Sequence, residues 1–394
     1  MNLAILGCGY VADFYMATVP DHADLTLLGA YDTDPQRLKA FADHHGIKAY
    51  ESFEAMLADA DVEMVLNLTN PRAHYDTTTA CLEAGKHVYS EKPLAMESVP
   101  AAELADLAKQ KGLRVATAPC SMLTDTAQTL WKGIKEDAVG PIRLVYANFD
   151  SGMVHRHNPA GWRSVSGAPW PMKDEFEVGC TYEHAAYVLS WLAAYFGPAR
   201  RIQSFASTRI KDKGIAVDGM APDFTAACIE YDNDIVAKVT FGIVAPLDKG
   251  IKIIGENGIL YTKYVRDDAS PVYFQPTPPD RLQNAISRRL GNLRTQIEHR
   301  LGLPFSISGL SYEKKYPSAR RSKAVRSGRN KPVDFMRGPS ELAAAIREDR
   351  PCRLSPELGI HMAELIESLQ YPERFDLPRT LTTTFDPIEP LPWR

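Results

Sequence analysis

A chain of 394 residues exceeds what one hydrophobic core usually supports, so two domains are expected. Apolar residues make up 45% and charged residues 24%, ordinary proportions that exclude a mostly disordered chain. The formal net charge of −4 favours neither an acidic nor a basic partner, so function has to be sought in local features.

Six cysteines, Cys8, Cys81, Cys120, Cys180, Cys228 and Cys352, are scattered with no CxxC pair, which fits a reducing compartment better than a disulfide framework. Met1 leads almost directly into an apolar run, leaving no room for a signal peptide, and no apolar run is long enough to span a bilayer. A cytoplasmic protein with no membrane partner is expected.

The first apolar run, Leu3-Ala4-Ile5-Leu6, reads as a buried strand. It is followed by the glycine turn Gly7-Cys8-Gly9-Tyr10-Val11-Ala12 and a helix predicted over Val11 to Val19. In such a strand–turn–helix Gly7 makes the tight turn, Gly9 lets the backbone approach a pyrophosphate, and Ala12 permits close helix packing. The helix start, with Tyr10 and Val11, then faces the phosphates. A second strand, Leu25 to Tyr31, ends at Asp32, twenty-three residues after Gly9, where a carboxylate can accept hydrogen bonds from the adenosine ribose. Asp32 favours NAD over NADP, because a 2′-phosphate would meet its charge, and Arg37 close by leaves NADP use open.

Further strands are predicted at Val62 to Leu68, at His87-Val88-Tyr89-Ser90 and at Arg114 to Ala118; their alternation with helices implies a parallel sheet. Near Pro119-Cys120 the pattern changes to longer, antiparallel-looking segments: Ile142 to Asp150, Ile202 to Ser207, Phe224 to Tyr231, Ile235 to Val244 and Ile251 to Ile254. An α/β chain is therefore expected, with a dinucleotide-binding domain over 1–121 and a substrate-binding and oligomerisation domain over 122–394. A helix predicted over Glu183 to Phe196, ended by Gly197-Pro198, would cover one face of the second sheet.

A basic insertion is placed at about 270–335, where Arg281 to Lys331 carries thirteen Lys/Arg against two acids, Glu298 and Glu313. Such a stretch can bind nucleic acid, a phosphorylated sugar or an acidic partner surface. No groove-reading element or spaced stacking aromatic accompanies it, so a subunit-embracing arm or partly ordered loop is preferred and no nucleic-acid partner is expected.

Oxidation of a secondary alcohol by hydride transfer needs a positioned base and a pocket holding the carbon against a nicotinamide. Lys92, in Glu91-Lys92-Pro93, closes a parallel strand at the end where ligands bind, and partial burial there is expected to lower its pKa. His155-Arg156-His157 lacks an obvious third metal ligand, and no metal is expected. His155, His157, Trp162, Arg163 and Trp170 read either as a sugar-binding loop of aromatic platforms and charged donors or as a surface loop packed on the second domain.

These segments resemble the Gfo/Idh/MocA oxidoreductases. The resemblance is carried by Ile5-Leu6-Gly7-Cys8-Gly9, Leu68-Thr69-Asn70-Pro71 with His74, Ala84-Gly85-Lys86-His87-Val88 and Glu91-Lys92-Pro93-Leu94. It continues in Gly140-Pro141-Ile142, Gly161-Trp162-Arg163, Gly255-Glu256-Asn257-Gly258 and a helical tail from Arg337 to Gln370, leaving out roughly 265 to 335. It implies a Rossmann domain, a C-terminal domain with a large open, mostly antiparallel sheet, NAD(P) between them, and redox chemistry on sugars or cyclitols. It also implies homodimers or homotetramers built on the open sheet. Lys92 receives from it a role in substrate orientation and proton relay, and Thr69, Asn70, Pro71, His74 and Glu91 a place beside the cofactor. Asn67 and Thr69 can alternatively satisfy strand-end backbone groups.

The family's second catalytic element is an aspartate followed four residues later by a histidine, and here the chain departs from it. Aligning on His184 puts Cys180 at the aspartate position, whereas counting back from Gly197-Pro198 puts Glu183 there and Tyr187 at the histidine position. At helical spacing Cys180, Glu183, His184 and Tyr187 share an arc of about 100°, so one face can present all four. His184 is preferred as the base, its ordinary pKa lying near neutrality, with Glu183 orienting it or binding a substrate hydroxyl. If His184 is instead a structural core histidine, Tyr187 and Lys92 carry the proton. Three readings follow: an NAD-dependent dehydrogenase of a sugar, glycoside or cyclitol; an enzyme recycling NAD for elimination or epimerisation; and a non-catalytic NAD-binding regulator.

Overall fold

A computed structural model describes residues 1–277, 313–319 and 333–393, together with Arg289, Gln296 and Arg300. Short apolar segments alternating with helices build a first, all-parallel sheet of strands β1 (Asn2–Leu6), β2 (Thr26–Tyr31), β3 (Lys48–Ala49), β4 (Met64–Asn67), β5 (His87–Ser90) and β6 (Val115–Thr117). Helices α1 (Ala12–Met16), α2 (Pro35–His45), α3 (Phe53–Ala58), α4 (His74–Glu83) and α5 (Ser98–Gln110) connect them. The strand order β3-β2-β1-β4-β5-β6 reverses direction between β1 and β4, which opens a crevice at their carboxyl ends.

Helix α1 is shorter than the predicted Val11 to Val19, ending at Met16 before a 3₁₀ turn over Val19–Asp21. Pro20 accounts for the difference, because it has no N–H to donate to the preceding turn and its ring crowds that carbonyl.

The longer segments form a second sheet of nine strands in the order β14-β13-β12-β11-β7-β10-β9-β8-β15. These are β7 (Ile142–Asp150), β8 (Arg201–Ser207), β9 (Phe224–Glu230), β10 (Val236–Gly242), β11 (Ile251–Gly255), β12 (Gly258–Thr262), β13 (Tyr273–Pro276), β14 (Lys314–Lys315) and β15 (Arg379–Thr380). All neighbours are antiparallel except β7 and β10. The remaining helices are α6 (Asp125–Lys135), α7 (Met172–Val178), α8 (Cys180–Phe196), α9 (Arg337–Arg347) and α10 (Pro356–Gln370). Helix α8 starts three residues before the predicted Glu183, at Cys180, just after Gly179, whose φ of 98° breaks it from α7. The predicted tail divides into α9 and α10 around Asp349 (φ 46°) and Pro351.

One apolar core runs from Ile5 and Leu66 of the parallel sheet through Val188 and Trp191 of α8 to Leu365 and Leu369 of α10. Helix α10 also enters the second Rossmann core, where Ala363 packs with residues such as Val88, Leu94 and Val115. The segment Arg281 to Lys331 lies outside the described residues except for 313–319 and the three isolated positions, where Lys314 and Lys315 form the edge strand β14. Among the described residues no helix is long and apolar enough to cross a membrane.

Candidate functional site

A cleft of about 410 Å³ opens where the carboxyl ends of β1, β4 and β5 face α7, α8 and the loops after β7, β10 and β12. At its Rossmann side Gly7 adopts φ 96°, and a Cβ there would lie 2.8 Å from the Leu68 carbonyl oxygen, so only glycine allows β1 and β4 to approach so closely at the turn. Gly9 is different: a Cβ there would meet nothing within 4 Å, leaving bare backbone facing open space, as a dinucleotide phosphate requires. Gly9, Tyr10, Val11, Arg37, Thr69, Asn70, Pro71, His74, Glu91 and Lys92 all border the cleft.

Gly7 and Asp32 stand behind this wall. The Asp32 carboxylate accepts from the Cys8 N–H at 2.7 Å and the Asp34 N–H at 2.8 Å, and Arg37 Nε lies 3.4 Å away. Asp32 is thus turned to the glycine loop it braces, and Arg37 is the charged side chain that borders the cleft there.

The segment after β5 is held on several sides. Glu91 accepts from Tyr15 Oη at 2.8 Å and from the Lys92 N–H at 3.0 Å. The Lys92–Pro93 peptide is cis. Buried His74 spans between the carbonyls of Pro93 (Nδ1, 2.6 Å) and Thr69 (Nε2, 2.9 Å), tying the two cofactor-side segments together. Asn67 accepts from the Thr69 hydroxyl at 2.7 Å, so Asn67 and Thr69 also satisfy the strand end.

From this support Lys92 Nζ reaches across the cleft to form an ion pair with Glu183 of α8, with only 11% and 13% of the two side chains exposed. The expectation that burial lowers the Lys92 pKa is corrected by this partner. Burial does disfavour the ammonium, but Glu183 first, then Tyr187 and Glu91, outweigh it and push Lys92 above the usual lysine value.

Cys180, Glu183, His184 and Tyr187 all border the cleft, as one face of α8. Of the two registers, the one starting at Glu183 meets Lys92; Cys180 instead donates its thiol to the Pro222 and Phe241 carbonyls, and burial pushes its pKa up. His184 lies 4.9 Å from the Phe149 ring, and its Nδ1 is buried with no hydrogen-bond partner among the described residues. Burial, reinforced by Lys249, Lys92 and Arg266, holds its pKa well below the ordinary histidine value, so the ring is neutral rather than poised near neutrality. Tyr187 stacks on Phe149 at 5.3 Å, and burial raises its phenol.

Trp162 and Trp170, with ring centroids 5.1 Å apart, supply an aromatic wall. His155, His157 and Arg163 do not border the cleft: Arg163 donates back to the Ala160 and Trp162 carbonyls, and the His157 carbonyl accepts from Trp162 Nε1. Of the three, Arg163 alone holds the loop with its charged group; His157 does so through its backbone, and His155 Nδ1 has no hydrogen-bond partner among the described residues. That loop also reaches the Rossmann domain, where Asp13 accepts from the Ser166 hydroxyl at 2.7 Å and from His45 Nε2 at 2.5 Å.

Among the cleft residues the sequence reading did not single out are Glu175 on α7, Lys249 and Arg266. Burial and the Glu183 carboxylate push Glu175 well above the usual carboxylate range. Glu175 sits on a seven-residue helix with no periodic signature, and Lys249 and Arg266 lie in connections between strands, so nothing local marked them.

Residues 1–118 match the Gfo/Idh/MocA oxidoreductase family with its NAD-binding Rossmann fold, and residues 127–261 match the Gfo/Idh/MocA C-terminal domain. The chain is 25% identical over 227 residues to trans-1,2-dihydrobenzene-1,2-diol dehydrogenase from Bos taurus, a match covering 57% of this chain and 62% of that protein. The matched region thus spans about three fifths of the relative's length. Its fold is similar to that of an NAD-binding oxidoreductase from Klebsiella pneumoniae, with a TM-score of 0.74, 18% identity, and 98% and 100% of the two chains covered. It is also similar to an aldose-aldose oxidoreductase from Caulobacter crescentus complexed with glycerol, with a TM-score of 0.70, 18% identity, and 97% and 99% covered. The two domain matches, well over half of the chain between them, agree with the parallel and open sheets seen here: this chain belongs to the Gfo/Idh/MocA oxidoreductase family, with an NAD-binding Rossmann domain at its N-terminal side.

Proposed function

We propose that the protein is an NAD-dependent oxidoreductase that moves a hydride between a secondary alcohol of a sugar, glycoside or cyclitol and nicotinamide. The observation that carries this reading is the Lys92–Glu183 ion pair, drawn from two different domains into a cleft that also exposes the Gly9 backbone. The Bos taurus relative's name, a dehydrogenase of a cyclic vicinal diol, and the Caulobacter crescentus protein's, an aldose oxidoreductase, support the substrate class. We divide the chain at residue 121, with the cofactor on the Rossmann side and the substrate against α7, α8 and the Trp162 loop.

Bound NAD supplies the hydride acceptor. Glycine backbone, Thr69 to Pro71 and Arg37 hold the dinucleotide, and Arg37 keeps NADP within reach. Lys92 donates a hydrogen bond to the reacting oxygen and fixes it in the cleft. During oxidation the alcohol proton passes to Lys92 Nζ as one of the ammonium protons moves to the Glu183 carboxylate; reduction reverses both transfers. His184, held neutral, hydrogen-bonds a substrate hydroxyl instead of taking the proton, and Tyr187 closes the floor on Phe149. Trp162 and Trp170 offer the flat apolar surface on which a sugar ring stacks.

We also propose a homodimer or homotetramer through the outer face of the nine-stranded sheet, where Leu144, Tyr146 and Phe205 are 39%, 40% and 57% exposed.

Absorbance at 340 nm, with NAD and a panel of sugars, glycosides and inositols, tests the reading. NADH formation that is lost in Lys92→Ala while NAD still binds supports it. A wild-type protein that binds NAD and reduces none of it with any member of the panel overturns it in favour of recycled-cofactor chemistry or a regulator.

A further inference from the structure

Lys249 and Arg266 both line the cleft, and both are mounted on one aromatic pair. Lys249 Nζ lies 4.5 Å from the centre of the Phe149 ring, and the Arg266 guanidinium lies 5.0 Å from the centre of Tyr187. Those two rings are stacked on each other at 5.3 Å. The two backbones are tied as well, the Val265 N–H donating to the Lys249 carbonyl at 2.8 Å. The cations are therefore held side by side in a half-buried setting.

Among the described residues no carboxylate forms an ion pair with either one. The acids of the cleft are engaged elsewhere: Glu183 with Lys92, Glu91 with Tyr15, Asp174 with Arg72 at 3.6 Å. Glu175 feels the Arg266 charge but forms no ion pair with it, and burial and Glu183 push its pKa up. The cost of the arrangement shows at Lys249, which burial and the Arg266 charge bring down to about 8. Two like charges held together without a counter-ion are unfavourable unless something anionic is meant to join them.

We propose that Lys249 and Arg266 together receive an anionic group, a carboxylate or a phosphate, on the sugar, so that the substrate is an acidic sugar rather than a neutral one. The inference rests on the redox reading above and narrows it. The anion sits at Lys249 and Arg266 and the reacting oxygen at Lys92, so the charged group and the reacting hydroxyl lie on different parts of one substrate. His184, which feels the charges of Lys249, Lys92 and Arg266, then meets a neutral hydroxyl of the ring.

The test compares matched sets of a hexose, its 6-phosphate and its uronate in the gluco, galacto and manno series. Two readouts are taken: NADH formation, and the rise in melting temperature that each ligand gives the NAD-saturated protein. At least one anionic series is expected to exceed its neutral hexose by about tenfold or more in kcat/KM, the size of one charge-assisted contact. The same series is expected to give the larger thermal shift, and whether it is phosphate or uronate identifies the anion. Lys249→Gln brings the ratio of anionic to neutral substrate towards one, and Lys249→Arg restores it; retained NAD binding in both reports an intact fold. Neutral hexoses bound and oxidised as well as both anions, or a ratio unchanged in Lys249→Gln, overturns the proposal. Because the thermal shift needs no turnover, an anion that binds selectively without NADH formation sinks the redox reading alone and leaves the anion site standing.

Discussion

Lys92 is under two opposed influences, burial drawing its proton off and Glu183 keeping it on, and the balance can be read by removing one of them. In Glu183→Gln the largest charge opposing burial is gone, so the Lys92 pKa falls. The group then loses its proton at lower pH, and the pH–kcat profile is expected to move to the acid side by at least about one unit. A profile that coincides with the wild type would mean that Glu183 does not set the state of Lys92. Gly9 offers a cleaner separation of fold from binding. A methyl group there touches nothing, so Gly9→Ala should keep unfolding free energy within about 0.5 kcal/mol of wild type. The same methyl intrudes on the space left for the phosphates, and NAD affinity measured by titration should weaken by about tenfold or more.

Helix α10 shows how an element carries a pH dependence. His361 accepts from the Ala199 N–H at Nε2 (3.0 Å) and meets the Thr383 hydroxyl at Nδ1 (2.8 Å), so a protonated ring would lose the first bond. Burial lowers its pKa to about 4, against the partial opposition of Glu364. Because the folded value is depressed, the stabilisation is complete above the unfolded value near 6.5 and is lost as pH falls from there towards about 4. Denaturation midpoints should therefore decline between pH 7 and 5 by the equivalent of about 1–2 kcal/mol, with a shallower decline in His361→Gln. Elements with their own punctuation were legible from sequence: β5 and β7 have the predicted bounds, and α8 ends at Gly197 as read. The parallel-sheet side of the cleft was legible too, because Gly9, Thr69 to Pro71 and Lys92 follow strand ends in a fixed order. Arg266 and Lys249 were not, since a backbone bond between distant loops and a stacked Phe149–Tyr187 pair bring them together, and neither leaves a periodic trace. Asp32 was identified by spacing, but its orientation towards Cys8 depends on the turn's own geometry.

The whole molecule is a parallel sheet and an open sheet sharing one core, with one open-sheet face under α8 and α10 and the other exposing Leu144, Tyr146 and Phe205. If that outer face joins subunits, light scattering will show an oligomer, and Tyr146→Glu combined with Phe205→Glu will shift it to smaller species while NAD binding persists. A mass unaffected by both charges would remove the face from consideration. The return of α10 to the Rossmann domain has a different kind of consequence. Gly359 lies close enough to Thr117 and Leu94 that a Cβ there would fall 3.0 and 3.1 Å from their side chains, and Ala363 completes the core under β5 and β6. A ribosome delivers residues 1–117 long before residues 356–370, so the nascent dinucleotide domain leaves the exit tunnel with an apolar face still uncovered. Its final closure waits for α10, which makes the growing chain a client for holding chaperones throughout the synthesis of the second domain.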